Sequence, residues 1–187
     1  ELINIKYRDG RKNFKLYKGA EKVFYNINSI VGYDTCVIVE GEMDALAFHE
    51  AGITNVISVP NGATLNHNNL DYLDNCIDYF EDKEKIILAV DQDDAGVALQ
   101  NELVRRLGAE VCYLVNFIDC KDANEYLLKY GKDELVNVIK ECRPVPLENV
   151  TTFKDIEHEV TDFVQHGFKK GFQVGLPDFD NIFSTYT

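Results

Sequence analysis

The sequence is short of several residue types and patterns that mark particular classes of protein. Its 187 residues include no tryptophan, one methionine, four prolines and four histidines. No apolar run approaches the roughly 18 residues that a membrane-spanning helix needs, so we expect no membrane partner. The N-terminus lacks the basic and then apolar pattern of a secretory signal peptide, which predicts a cytoplasmic protein. Because the first residue is Glu1 rather than methionine, we interpret the sequence as a piece of a longer protein.

Five cysteines are present, but no two of them form a Cys-x-x-Cys pair. They are Cys36, Cys76, Cys112, Cys120 and Cys142. An odd number of cysteines at apolar positions predicts buried free thiols in a reducing compartment. The histidines also lack the spacing of metal ligands, which argues against a zinc site.

Basic residues are outnumbered, with 19 Lys and Arg against 32 Asp and Glu and a net charge of −13. Nucleic-acid binding depends on Lys and Arg, so the average charge argues against such a partner. Residues 1–22, however, carry a net +4, which leaves −17 on the rest. The basic residues of this segment are Lys6, Arg8, Arg11, Lys12, Lys15, Lys18 and Lys22. The segment either faces phosphates or forms solvated edge strands whose lysines prevent aggregation.

The pattern of apolar residues divides the chain into three regions. Residues 1–32 alternate in short runs, "LINIKY", "FKLY" and "KVFYNI", which predicts a small antiparallel sheet. Residues 33–143 contain four continuous apolar runs, each followed by a segment with helical spacing. Continuous runs are typical of parallel strands that are buried on both faces, so we predict an α/β domain with a parallel sheet flanked by helices. The four runs are residues 36–39, 56–59, 86–90 and 111–115.

Helical spacing is clearest in three segments. Leu70, Leu73, Ile77 and Phe80 predict one helix, and Ala95, Leu99, Leu103 and Leu107 predict another that ends at Gly108. Residues 144–187 begin with two prolines and continue into an amphipathic helix over 151–166, which we interpret as a linker helix. This helix either folds back on the α/β domain or docks on a partner.

Acidic residues follow three of the predicted strands. Because the carboxyl ends of parallel strands meet at one edge of a sheet, where ligands bind, we expect these acids to lie together. Helix capping explains Asp93, Asp94 or Asp122 taken singly, but it does not explain Glu40 and Asp91, which end buried strands. The acids are Glu40, Asp44, Asp91, Asp93, Asp94, Asp119, Asp122 and Glu125.

Carboxylates gathered at one edge repel each other and require a counter-charge. A like-charged pair 4 Å apart costs about 4 kcal/mol at an effective dielectric constant near 20. A hard divalent cation with oxygen ligands removes this cost, and Mg²⁺ typically binds one or two carboxylates together with substrate phosphates. We therefore predict Mg²⁺, with Mn²⁺ as the alternative, in a site for phosphoryl or nucleotidyl transfer.

Two of these acidic segments carry a resemblance to a known family. The segment "VEGEMDALA", followed by "LAVDQDDAG", resembles the Toprim domain of DnaG-type primases, topoisomerases, OLD-family nucleases and recombination proteins. "SVPNGA" and "CKDANEYL" resemble the fused primase-helicases of phages and their Twinkle-like relatives. The resemblance covers residues 3–143 as a primase polymerase core. More loosely, it covers 150–187 as an interdomain helix and the start of a hexameric helicase domain.

The resemblance implies specific domains, activity and residues. It implies a basic N-terminal β subdomain over 1–32, a Toprim domain over 33–143, and a linker helix with the start of a helicase domain over 144–187. The implied activity is RNA primer synthesis from ribonucleoside triphosphates on a single-stranded DNA template, which the seven basic residues above would contact. Helicase-hexamer neighbours would contact residues 151–166. The implied catalytic residues are Glu40, Asp91 and Asp93, and the implied metal ligands are Glu40, Asp44, Asp91, Asp93 and Asp122.

Other functions remain open at this point. The same acids would serve a metal-dependent nuclease or strand-passing enzyme, and an inactive Toprim module could bind DNA and organise a helicase ring. A phosphoacceptor receiver domain also places acids at strand ends, with Lys121 as its lysine, but its first acids are paired aspartates rather than Glu-Gly. Neither a zinc-binding module nor a GxxxxGK[ST] loop occurs in the sequence, so we expect the isolated piece to synthesise little primer.

Overall fold

The structure is a computed structural model that describes residues 2–11, 13–61, 70–146, 153–167 and 175. Its strands are β1 (Lys6–Arg8), β2 (Phe14–Leu16), β3 (Thr35–Val39), β4 (Val56–Ser58), β5 (Lys85–Ala89), β6 (Cys112–Leu114) and β7 (Arg143–Pro144). Its α-helices are α1 (Glu42–Glu50), α2 (Asp71–Asp74), α3 (Asp94–Leu107), α4 (Ala123–Tyr130), α5 (Lys132–Lys140) and α6 (Phe153–His166). Two short 3₁₀ helices cover Ile27–Ile30 and Ile77–Tyr79.

A five-stranded sheet with the order β4-β3-β5-β6-β7 organises the larger part of the chain. The first four of these strands run parallel, and β7 pairs antiparallel with β6 at one edge. A separate antiparallel pair, β1 and β2, forms an N-terminal hairpin. The predicted α/β fold, with its parallel sheet, small antiparallel β subdomain and C-terminal helix, is confirmed.

Successive residues of the central strands point into two hydrophobic cores. Ile38 of β3 and Leu88 of β5 pack into the core that includes Leu103 of α3. Val39, the next residue of β3, packs into the opposite core together with Phe48 of α1. A strand with helices on both faces buries every residue, which explains why these runs are continuously apolar.

The third apolar run of the N-terminal region was predicted to join the small antiparallel sheet. In the structure it does not pair with the hairpin. Tyr25 makes one isolated bridge to Ser58, and the chain then enters the 3₁₀ helix. Phe24, Ile27 and Ile30 are buried in the core that includes α3. Burial of these three side chains against the large sheet therefore outweighs the strand pattern of the segment.

The single helix predicted over residues 70–80 is also replaced by two short pieces. Helix α2 is followed by a 3₁₀ helix, and Ile77 is exposed, whereas Leu70, Leu73 and Phe80 are buried as predicted. Cys76 takes the inward position next to Ile77. Because a 3₁₀ helix has 3.0 rather than 3.6 residues per turn, the change of helix type shifts which side chains face the core. The helix predicted up to Leu107 is confirmed as α3, and Gly108 ends it with a φ of +99°.

The chain divides into two compact units, residues 1–147 and 148–187. The boundaries that we predicted after residues 32 and 143 stay predictions.

All five cysteines are free, and four of them are buried, as expected. Among the helices that the structure describes, none has the length and apolar character needed to cross a membrane.

Candidate active site

The carboxyl ends of β3 and β5 bring Glu40 and Asp91 to the same edge of the sheet. These strands are parallel neighbours, and Val39 is in register with Ala89. Glu40 directly follows β3, while Asp91 follows β5 after one buried valine. Both acids line one cavity of about 300 Å³. The strand ends therefore place these two acids together, as the sequence predicts.

The N-terminal hairpin forms another wall of this cavity. Lys6 of β1 and three residues of β2, namely Phe14, Lys15 and Leu16, line it. The Lys6 Nζ donates to Glu42 Oε1 at 2.7 Å and to Oε2 at 3.0 Å, which joins β1 to the first turn of α1. The site is consequently a cleft with one acidic wall and one basic and aromatic wall.

Asp44 lies in the first turn of α1 and is only 7% exposed. Its Oδ1 accepts a hydrogen bond of 3.1 Å from the backbone N–H of Asn124, near the start of α4. Burial, together with the charge of nearby Asp122, raises the pKa of Asp44 to about 7. Asp44 therefore links the first turn of α1 to the start of α4.

Lys121 reaches both acids of the loop after β5. Its Nζ lies 2.9 Å from Asp91 Oδ2 and 3.0 Å from Asp93 Oδ2. Burial raises the pKa of Asp91 even though the Lys121 ammonium opposes that effect. The pKa of Asp93 is lowered, mainly by the hydrogen bond from the Gly96 backbone N–H and then by Lys121. One ammonium group thus sits between two predicted metal ligands.

Two of the predicted site acids also cap helices. Asp93 Oδ1 accepts from the backbone N–H groups of Ala95 and Gly96 at the start of α3, at 3.1 and 2.9 Å. Asp122 Oδ1 accepts from Glu125 N at 2.8 Å at the start of α4. The capping alternative is therefore correct for both. Capping does not exclude a second role for Asp93, because its Oδ2 points to Lys121 instead.

Gly96 lets α3 begin against the end of β5. A Cβ atom at this position would collide with the backbone carbonyl of Asp91. The clash involves backbone, which cannot swing away as a long side chain can. Glycine at 96 is thus required for the approach that holds the Asp91 and Asp93 loop.

Comparison with known proteins gives this arrangement a family. A family profile described as Toprim-like matches residues 37–127, which span β3, α1, β5 and most of α4. Residues 37–127 are a Toprim domain. The acids Glu40, Asp44, Asp91, Asp93 and Asp122 all lie within it, so the predicted recognition is confirmed.

Curated relatives of the Toprim domain and its flanks include two proteins from Arabidopsis thaliana. The chain is 33% identical over 203 residues to a Twinkle homolog protein, chloroplastic/mitochondrial, which covers 98% of this chain and 29% of that protein. It is 37% identical over 166 residues to a primase homolog protein, covering 80% of this chain and 49% of that protein. The chain thus spans less than half the length of either relative.

A solved structure also resembles this chain. The primase fragment of the bacteriophage T7 primase-helicase protein superposes with a TM-score of 0.64 and 28% identity. The superposition covers 73% of this chain and 57% of that fragment. The two chains therefore share the primase-type Toprim fold.

The donor set of the Toprim domain suits a hard cation. In the part of the chain that the structure describes, no group of three or more Asp, Glu, His or Cys side chains already converges as the ligands of one ion. Two carboxylate oxygens, Asp91 Oδ2 and Asp93 Oδ2, do converge on one positive charge, the ammonium of Lys121. Carboxylate oxygens are the ligands that Mg²⁺ and Mn²⁺ prefer. These residues fit such an ion, and the metal ligands stay a prediction.

The basic residues that were predicted to contact nucleic acid differ in their surroundings. Lys6 and Lys15 line the cleft, and Lys22 pairs with Asp71 at 2.9 Å. Arg8, Arg11 and Lys18 are exposed, whereas Lys12 lies outside the described residues. Sequence reasoning did not single out Phe14 as a cleft residue or foresee that Lys121 would bridge two acids. The alternation of Phe14 with basic residues was the available signal for the first; the second depends on how two loops meet.

Proposed function

We propose that the chain is the catalytic core of a DNA primase that belongs to a primase-helicase. In this proposal it synthesises RNA primers on a single-stranded DNA template by Mg²⁺-dependent nucleotidyl transfer. The observation that carries the proposal is the cleft with Glu40 and Asp91 on one wall and Lys6, Phe14 and Lys15 on the other. The names of the relatives, a Twinkle homolog and a primase homolog, support the same function.

Each of the five predicted site acids has a proposed part in the transfer. Asp91 and Asp93 would hold Mg²⁺ or Mn²⁺, Glu40 would contribute a further oxygen, and Asp44 and Asp122 would support the site from the α4 side. When bound, the ion neutralises the triphosphate of the incoming ribonucleotide and the charge on the attacking and leaving oxygens. Glu40, on the acidic wall of the cleft, takes the proton from the attacking 3′-hydroxyl of the primer.

The hairpin is the proposed template surface. Phe14 is 56% exposed, and the Lys6 ammonium lies 4.9 Å from the centroid of its ring. Tyr7 and Tyr17 are exposed on the same hairpin. Aromatic rings next to basic groups suit single-stranded nucleic acid, because bases stack on the rings while the cations contact phosphates.

The second unit supplies the proposed contact with a fused helicase domain and with hexamer neighbours. Helix α6 exposes three large apolar side chains, Phe153, Phe163 and Val164. Apolar side chains in such number on one exposed helix suit a partner surface.

Cytoplasmic localisation also stays a proposal, since one relative is named chloroplastic/mitochondrial. Imaging of the full-length protein with a fluorescent tag tests it.

The decisive test replaces the metal-binding acids in the full-length protein. Asp91→Asn and Asp93→Asn should each lower primer synthesis by at least about 100-fold, because removing charge stabilisation at a transferring phosphate costs about 3 kcal/mol or more. Asp94→Asn is the matched control, since Asp94 is an exposed acid of the same segment. Unwinding by the helicase should survive all three changes. Unchanged primer synthesis in Asp91→Asn would refute the assignment, and DNA cleavage in Mn²⁺ without nucleotides would favour a nuclease.

A further inference from the structure

The side chain of Lys121 occupies the place where the two proposed metal ligands converge. Its Nζ is within 3.0 Å of one oxygen from Asp91 and one from Asp93. The Asp91 side chain is 12% exposed, whereas that of Lys121 is 53% exposed. The ammonium therefore reaches the largely buried Asp91 and the more exposed Asp93 from the solvent side, and it can leave toward solvent without moving the backbone.

The backbone of Lys121 is held from both directions. Its N–H donates to Glu125 Oε2 at 2.7 Å, and its carbonyl accepts from the backbone N–H of Gln92 at 2.8 Å. Glu125 is itself fixed by the capping hydrogen bond to Asp122. The loop after β6 is thus attached to the loop after β5 by contacts that do not involve the ammonium. Lys121 stays next to the acids whether or not its side chain touches them.

The Lys121 ammonium compensates repulsion between the acids that surround it. Asp91 and Asp93 lie near the further acids Asp44 and Asp122, and without a positive group their mutual repulsion would spread the two loops. A lysine ammonium compensates one unit of that charge. A divalent ion that uses the same two oxygens compensates two units, but it must first displace the ammonium.

We propose that Lys121 is an internal counter-ion of the metal site, which holds Asp91 and Asp93 together before an ion arrives and leaves their Oδ2 atoms when the ion binds. The proposal rests on the metal site of the proposed function, and it makes Lys121 a positioning residue that sets metal affinity. Removing its charge should therefore strengthen metal binding, although the lysine lies inside the site.

The test measures Mn²⁺ binding to the 187-residue chain by electron paramagnetic resonance and calorimetry, without nucleotide or DNA. Lys121→Met should bind Mn²⁺ on the order of tenfold more tightly, because two partly exposed ion pairs no longer compete. In chelator the same variant should unfold at a lower temperature than wild type, and saturating Mn²⁺ should close that gap. Lys129→Met is the matched control, because Lys129 pairs with Asp119 at 2.6 Å and is similarly exposed. It should leave Mn²⁺ affinity unchanged.

The outcomes separate this inference from the proposed function. No Mn²⁺ uptake by wild type or by Lys121→Met would overturn the metal site itself. Uptake by wild type with equal or weaker uptake by Lys121→Met would overturn only the role of Lys121. Lys121→Arg keeps a positive charge and provides a test if the methionine variant does not fold. It should bind Mn²⁺ no more tightly than wild type, and a tenfold gain there would contradict the proposal.

Discussion

Asp44 carries a carboxyl group into the interior of the protein, between α1 and α4. Its environment provides one hydrogen bond, from Asn124 N, and negative neighbours in Asp122, Asp91 and Glu40. An ionised carboxylate in such a place is destabilising unless a positive charge arrives. The neutral form of Asp44 therefore favours stability of the metal-free protein, whereas the proposed metal binding uses the ionised form.

This conflict predicts a pH dependence of stability in chelator. The folded pKa of about 7 exceeds the ordinary value of 3.8, so the folded chain binds this proton more tightly than the unfolded chain. The stability contributed by Asp44 is complete below pH 4 and is lost as the pH rises through about 7. The loss is on the order of 4 kcal/mol. Asp44→Asn keeps an acceptor for Asn124 N–H and should be the more stable protein at pH 8.

Thermal unfolding at pH 5 and pH 8 checks this expectation. The melting temperature of wild type should fall relative to that of Asp44→Asn over this interval. Asp82→Asn, a change of an exposed acid in the turn before β5, should follow wild type. Parallel profiles for wild type and Asp44→Asn would show that Asp44 does not titrate as its burial requires.

Individual site residues differ in how far the sequence could predict them. The convergence of Glu40 and Asp91 was predictable, because both end buried apolar runs and parallel strands share a carboxyl edge. The capping bonds of Asp93 and Asp122 followed from residue type and position. The bridge from Lys121 and the pair between Lys6 and Glu42 were not predictable, since each joins segments whose approach depends on the packing of the whole domain.

At the scale of elements, the hairpin β1–β2 carries the proposed contact with nucleic acid. Lys15 lines the cleft, and Lys18 follows in the next turn of the chain. If both contact phosphates, Lys15→Gln with Lys18→Gln should lower the affinity for single-stranded DNA. It should also reduce the slope of log affinity against log salt by about 1.4, or about 0.7 for each phosphate contact.

Fluorescence anisotropy with a labelled oligonucleotide at several KCl concentrations measures both effects. Lys132→Gln with Lys140→Gln in α5 is the control of equal charge, and α5 does not line the cleft. An equal loss of affinity and slope in both double variants would mean that only net charge matters. That result would remove the hairpin from the proposed template surface.

Helices could be predicted where the apolar repeat and the residues at both ends of the segment indicated the same helix. Helix α3 combines an apolar repeat, an aspartate cap and a terminal glycine, and its bounds match the prediction. The segment over 70–80 has the repeat but no such ends, and packing divides it into α2 and a 3₁₀ helix. Likewise, the run containing Phe24 has a strand pattern, but core burial determines its structure.

At the scale of the whole molecule, the second unit is the proposed assembly surface of the longer protein. In the full-length protein, Phe163→Ala with Val164→Ala should shift hexamers toward smaller species, because both large apolar side chains are exposed on α6. Alanine favours helix, so lost assembly would not reflect lost helix. The matched change Glu157→Ala alters an exposed polar side chain of α6 and should leave assembly intact.

Analytical ultracentrifugation of the three full-length proteins measures the distribution of species. Hexamers that persist in the double variant would exclude these side chains as an assembly surface. Melting of the Toprim domain, followed separately, should be the same in all three proteins.

The fold class and family were predictable at this scale because the paired acidic motifs lie in one continuous α/β pattern. Assembly was not, since it involves surfaces beyond one chain.

The cleft between a basic hairpin and an acidic sheet edge makes the molecule electrically polar. A polyanion that approaches the chain meets net negative charge over most of the sequence, because the net charge beyond residue 22 is −17. Trajectories that arrive at the hairpin meet the basic residues of segment 1–22, which carries a net +4, and these trajectories end beside Glu40 and Asp91. Long-range forces would therefore orient an incoming strand before any contact forms, and the same polarity would discourage it from sticking elsewhere.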